Sequence, residues 1–311
     1  MSKKTNHKKK TRLLRRRTKK NKNVCSPFSS KHRVVQGSCF TEHAIKMIAT
    51  AHNKKNPSNT IPETLTPKEK WMKLKASMSR IPHCQQEECW IDQTSLESAD
   101  KNKLKAQLFV PLRPNEWEKK PNTWLTNYDI ANVLNQYEKS NPEFQFLGPS
   151  PIDFDTKKQN GSCMCSNLCN FSINDFIKRG KTKIGIVFNL DRHDQSGSHW
   201  VALFVDLSDK FVFYFDSTGD KIHPQIEKLK KTILQQGKDS LGGMTYYVNT
   251  HEHQKGNTEC GMYCLYFIIT CLLRENDDLT GRLSESELVA YFTKKRLPDK
   301  AVYIYRHKMF R

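Results

Sequence analysis

The sequence predicts an α+β fold, a helical N-terminal region followed by a small mixed sheet flanked by helices. Two observations predict it. Up to about residue 140, apolar residues recur at the three- and four-residue intervals of amphipathic helices. From about residue 181 they gather instead in short runs rich in Val, Phe, Trp and Tyr, as strands require. With 311 residues, 36% of them hydrophobic, the chain can build more than one small core. We expect a basic disordered tail over 1–33, a helical N-terminal domain over 34–150 and a second domain over 151–311.

Ordered structure is expected to begin near Val34, and Ala44, Ile45, Ile48 and Ala49 mark the first helix. Thr66-Pro67-Lys68-Glu69 reads as a capping box with Pro at the first helical position, leading into Trp71, Met72 and Leu74. Residues 84–120 are polar and carry no clear period. Thr126 and Asp129 open a better-marked helix whose apolar face is Ile130, Val133, Leu134 and Tyr137. Three strands follow, at Ile184–Leu190, His199–Leu207 and Phe211–Phe215, and the short Ser208-Asp209-Lys210 connection makes the last two an antiparallel hairpin. Pro224 starts a helix carrying Ile226, Leu229 and Ile233, with Gly237 as its expected stop. Met244–Val248 reads as a further strand. Cys260–Leu273 is apolar nearly all round yet short, which suits a helix buried in a core. Ser284-x-x-Glu287 caps a last helix with Leu288, Val289, Tyr291 and Phe292.

Charge is concentrated at one end. Lys plus Arg number 52 against 32 Asp plus Glu, and residues 1–23 hold 12 of the basic residues with no acid. That segment buries nothing and is expected to be disordered, either a solvated arm or a contact for nucleic acid, an anionic surface or a nuclear-import receptor. No apolar run reaches eighteen residues, so no membrane association is expected. The N-terminus lacks the apolar stretch of a secretory signal, so the ten cysteines are expected to be reduced thiols. The Cys163, Cys165 and Cys169 cluster has zinc-like spacing but no clear fourth ligand, and ordinary thiols are the better expectation.

Three segments carry chemistry together. His199-Trp200 opens one strand, and Asp216 ends its hairpin partner, opposite Leu203 or Ala202 if the turn centres near Asp209. A carboxylate there can accept one imidazole N–H and aim the other ring nitrogen at a nucleophile. Cys260 begins the buried helix, where free N–H groups favour a thiolate, and Gly261 leaves the backbone beside the sulfur uncrowded. Gln254, in the preceding loop, supplies an amide that with the Cys260 N–H makes an oxyanion hole. Taken singly, each has a plainer reading: an exposed His, a core Trp, a common Asp-Ser-Thr-Gly turn, a helix that merely starts with Cys. Nucleophile, base, orienter and donors, each on the element its role demands, outweigh those readings.

The strings Gly197-Ser198-His199-Trp200-Val201-Ala202, Tyr214-Phe215-Asp216-Ser217-Thr218-Gly219 and Gln254-x4-Glu259-Cys260-Gly261 resemble the Ulp1/adenain-type cysteine proteases. Thr258-Glu259-Cys260-Gly261 and the C-terminal Tyr305-Arg306-His307-Lys308-Met309-Phe310-Arg311 resemble the polyprotein-processing proteases of large nucleocytoplasmic DNA viruses, the African swine fever virus type. At the acid position Asp216 follows the cellular members instead. The resemblance implies a papain-like inverted core over 151–311 and catalysis by His199, Asp216 and Cys260, with Gln254 in the oxyanion hole. It also implies Trp200 as one wall of a narrow substrate groove, and no metal or cofactor. The implied substrate is a virion polyprotein or other protein cut after Gly-Gly-X sites, in the virion and the cytoplasmic viral factory. The oligomeric state stays open. Three alternatives compete with this reading: a deSUMOylase- or deubiquitinase-like isopeptidase, a related acetyltransferase, and a non-catalytic nucleic-acid-binding virion component.

Overall fold

The computed structural model describes residues 23–275 and 281–311. Most of the basic tail therefore lies outside the described residues. Helix α1 (Pro27–His32) precedes α2 (Glu42–Lys55), α3 (Pro67–Met78), α4 (Glu87–Asp92) and α5 (Ser98–Leu108). Order begins earlier than expected. Ser26 caps α1 through the Ser29 N–H, its own N–H donates to the Leu108 carbonyl, and its buried surroundings belong to the same helical unit. The capping box of α3 forms as read, with Thr66 and Glu69 exchanging hydrogen bonds.

One core closes this unit. Phe40, Ile45, Ile48, Leu74, Trp90, Leu104 and Phe109 are buried together within it. The polar stretch that resisted assignment contains α4 and α5, short helices whose few buried residues (Trp90 and Ile91, then Leu104 and Leu108) leave too weak a period to read.

Helix α6 (Asn127–Ser140) has the expected capping box at Thr126 and Asp129. Its apolar face packs with the second unit, since Ile130, Val133 and Leu134 share a core with Phe204, Phe213 and Phe267. Strand β1 (Phe144–Pro151) follows and was not foreseen; Gly148, Pro149 and Pro151 hide its period. It belongs to the sheet, so by their cores the two units divide near residue 110 rather than at 150.

After α7 (Ser166–Cys169) and α8 (Ile173–Lys178) come β2 (Lys183–Asn189), β3 (Trp200–Asp206) and β4 (Phe211–Phe215). Helix α9 (Pro224–Leu241), β5 (Thr245–Val248), α10 (Cys260–Leu273), α11 (Glu285–Thr293), α12 (Asp299–Tyr303) and α13 (Arg306–Met309) complete the chain. The sheet runs β1-β2-β3-β4-β5, with parallel pairs at its two edges and antiparallel pairs between. Gly237 does not stop α9, which continues to Leu241 and ends at Gly242 with a left-handed φ of 79°. A Cβ on Gly237 would sit 2.5 Å from the Met244 side chain, so that glycine is there for close packing.

Both faces of the sheet are covered. Trp200, Ala202 and Phe204 point to the face packed by α10, while Val201, Leu203 and Val205 point to the face that shares a core with α8 and α9. That is why β3 reads as one apolar run rather than an alternation. Arg274, left-handed at φ 57°, closes α10 and reaches Asp206 and Asp209 at 3.3 and 2.5 Å, a cation at the negative end of the helix dipole.

The thiol expectation is corrected. Disulfides join Cys25–Cys39, Cys84–Cys89 and Cys163–Cys169, leaving Cys165, Cys260, Cys264 and Cys271 free. Each pair is local, separated by 14, 5 and 6 residues, and the fold of its own loop brings the two sulfurs together. Among the described residues no group of three or more His, Cys, Asp or Glu side chains is placed to hold a metal ion.

Candidate active site

The hairpin brings Asp216 back beside the start of β3 as expected, but its register puts Asp216 opposite Val201 rather than Leu203 or Ala202, because the connection is Leu207–Lys210, one residue longer than read. Phe215 pairs with Ala202, so Asp216 lies one step beyond, beside the start of β3. There His199 Nε2 and Asp216 Oδ1 are 2.7 Å apart. Asp216 is 1% exposed in its side chain and His199 19%. The other ring nitrogen, Nδ1, is not engaged by Asp216, and Cys260 lies near enough to the ring to help raise the His199 pKa. Cys260 is itself buried, at the first position of α10. The structure thus brings His199, Asp216 and Cys260 together.

The electrostatics of that line favour the charged imidazole. Burial alone would lower the His199 pKa, but the hydrogen bond to Asp216, the contact with Cys260 and the charge of both partners outweigh it and raise it to about 10. Asp216 is in turn fixed by neighbours to which the sequence reading gave no role. Its Oδ1 also accepts from the Thr218 N–H and hydroxyl, at 2.9 and 2.7 Å. Buried Asn249 receives the Asp216 N–H at 2.8 Å and donates to the Asp216 carbonyl at 2.7 Å. Asp216 Oδ2 is buried with no hydrogen-bond partner among the described residues, while Oδ1 faces His199. No local pattern marks Asn249; a polar residue ending an apolar strand is an ordinary sight.

Gln254 is 5% exposed and tied to the site through Ser217, which follows Asp216. The Ser217 hydroxyl donates to Gln254 Oε1 at 2.9 Å and the Gln254 N–H donates to the Ser217 carbonyl at 2.8 Å. One amide N–H goes to the Gly256 carbonyl at 2.7 Å, leaving the second for a ligand. Asp299 holds the same loop from outside by accepting the Lys255 and Gly256 N–H groups. Next door, His253 is fully buried, stacks on Phe215, receives the Leu297 N–H on Nδ1 and faces the Phe292 carbonyl with Nε2.

Trp200 donates its indole N–H to the Leu125 carbonyl at 3.1 Å and lines a cleft of about 640 Å³. That cleft runs between the loop carrying Trp124 and Leu125 and the loop carrying His193 to Ser198; the sequence neighbours of His199, Ser198 and Trp200, line it, whereas His199, Asp216, Gln254 and Cys260 do not. Gly261 has a different role from the one expected. A Cβ there would meet Leu125 at 3.1 Å, so the missing side chain admits Leu125 rather than leaving open space beside the sulfur.

Residues 179–306 match the model of the Ulp1 protease family, C-terminal catalytic domain. That segment is therefore similar to the catalytic domain of those proteases. A protein of Acanthamoeba polyphaga mimivirus provisionally named a thiol protease is 34% identical over 184 residues, 58% of this chain and 59% of that protein. The cysteine protease of African swine fever virus is 30% identical over 141 residues, 43% of this chain and 46% of its own. The chain thus spans about half the length of the curated relatives it matches. A crystal structure of the African swine fever virus protease shares the fold, with a TM-score of 0.60 over 93% of this chain and 98% of that one at 21% identity. The α+β core with a mixed sheet flanked by helices expected from the sequence is therefore present, with the fold of that viral protease.

Proposed function

We propose that this protein is a cysteine endopeptidase, a viral thiol protease that processes virion polyproteins after Gly-Gly-X sites. The observation that carries the reading is His199 set between the buried carboxylate of Asp216 and the sulfur of Cys260. In the proposed reaction Cys260 Sγ attacks the scissile carbonyl carbon while the Cys260 N–H and the free amide N–H of Gln254 receive the developing oxyanion. The tetrahedral intermediate collapses, the C–N bond breaks, and His199 gives its Nδ1 proton to the leaving amine. A water then loses its proton to His199 and attacks the thioester, releasing the acid and restoring the thiolate–imidazolium pair. Trp200 serves as a wall of the groove, and the adjoining cleft gives an extended segment room on that side.

Turnover of Gly-Gly-X peptides, with Cys260→Ala as the control, tests this. Full turnover by the variant would end the reading. A second reading, an isopeptidase acting on ubiquitin-like conjugates, is favoured by an African swine fever virus relative named a SUMO-1 cysteine protease. A ubiquitin-like activity probe that labels Cys260 faster than a short peptide is cut would select it.

Action in the virion and the cytoplasmic viral factory belongs to the same proposal. So does a tether to nucleic acid through residues 1–23, where twelve cations meet no acid. Binding that falls steeply with salt, and is lost when those residues are removed, supports the tether; a flat salt dependence removes it.

A further inference from the structure

Helix α10 begins with an odd residue. Glu259 is its N-cap, a position where Ser, Thr, Asp or Asn would bond the first free N–H groups, yet its side chain makes no capping bond. The carboxylate is turned to Arg306 instead, which approaches it with Nε at 3.0 Å and Nη2 at 3.1 Å. Both side chains are buried, 5% and 1% exposed.

The same guanidinium holds two further segments. Nη1 donates to the Thr123 carbonyl at 3.0 Å and Nη2 to the Thr258 carbonyl at 3.2 Å, while the plane lies 4.5 Å from the Trp117 ring centre. Thr123 opens the segment whose Leu125 packs against Gly261 and accepts the Trp200 indole N–H. A single planar cation therefore ties the turn before Cys260 to the loop that supports both the nucleophile and the groove wall. A lysine ammonium, a point donor, cannot span these acceptors at once.

We propose that Arg306 is a positioning residue for Cys260, setting the first turn of α10 and the Thr123–Leu125 loop so that the sulfur and its backbone N–H sit where attack needs them. This rests on the thiol-protease reading. Arg306 touches neither substrate nor the reacting atoms; it acts through Glu259, Thr258 and Leu125.

The test compares the full-length chain with Arg306→Lys, Arg306→Met and the double variant Glu259→Gln/Arg306→Met. For each, thermal unfolding, the fraction of Cys260 labelled by an irreversible thiol reagent, and kcat and KM per labelled site are measured. Removing one partner of a buried ion pair leaves a charge stranded and destabilises, whereas the double variant removes both charges and recovers folding. A displacement of about 1 Å at a reacting atom costs on the order of 100-fold, so kcat per labelled site falls about 100-fold in Arg306→Met with KM little changed. It stays low in the double variant although Tm returns, and Arg306→Lys lies between. A double variant that regains the parental kcat per site along with its stability makes the pair merely structural and overturns the proposal. Should the parental chain cut no peptide at all, the protease reading fails instead, and the rate of Cys260 labelling still reports whether Arg306 positions the sulfur.

Discussion

Removing the charge of Asp216 is the most informative perturbation of this site. The rise of His199 from 6.5 to about 10 corresponds to on the order of 5 kcal/mol in favour of the imidazolium, achieved against burial. Asp216 supplies the first of the opposing contributions, a 2.7 Å hydrogen bond to Nε2, and its charge adds another. An opposite charge at such range is worth about one to three pH units, so its loss moves the His199 ionisation down by that amount, toward its ordinary range. Asp216→Asn keeps an oxygen for the Nε2–H and the Thr218 donors; Asp216→Ala keeps none and frees the ring to turn. We expect kcat/KM to fall on the order of 100-fold in the Asn variant and further in the Ala variant, within the span of a lost base or its orientation. In both, the alkaline limb of the pH–rate profile moves to lower pH. The assay is kcat/KM for a Gly-Gly-X peptide from pH 5 to 11, with Cys260 alkylation followed in parallel. An Ala variant whose limb stays in place and whose rate drops less than tenfold would refute the reasoning.

The remaining predictions are more local. Gly261→Ala drives a methyl to 3.1 Å from Leu125 and should cost about 1–3 kcal/mol in thermal or denaturant unfolding, with a loss of kcat; an unchanged midpoint would contradict the close approach. Burial lowers the His253 pKa below 6.5, so the unfolded chain takes up that proton first; its contribution is present above pH 6.5 and is lost as the pH falls through the lower native value. His253→Phe should be less stable at neutral pH yet lose less on acidification, as urea titrations at pH 7 and 5 would show. His199 runs the other way: its contribution is full below pH 6.5 and is lost as the pH rises through about 10. Alkylation under denaturing, non-reducing conditions should modify Cys165, Cys260, Cys264 and Cys271 and spare the six bridged cysteines, and a mass showing all ten modified would remove the disulfides.

Local sequence determined much of this molecule, because the signals concerned are short-range. A capping box, a Pro at a helix start and a short hairpin link are decided by neighbours, so α3, α6 and the β3–β4 hairpin were legible. The hairpin in turn made His199 and Asp216 legible as neighbours, although the register, set by a turn one residue longer than read, came only from the folded chain. Where local signals conflicted, tertiary packing won: Gly237 continued its helix to admit Met244, and β1 formed despite its prolines because β2 supplied a parallel partner. The cysteines show the same limit, since presumed surroundings say nothing of which sulfurs a loop will bring together. What only the folded chain decided is the support of the site. Asn249, Leu125 and Arg306 reach it from 33, 135 and 46 residues away from Asp216, Cys260 and Cys260 respectively, distances in sequence at which no spacing rule operates. A nucleophile can be recognised by its position at a helix start, but the side chains that hold that start still are chosen by packing in three dimensions.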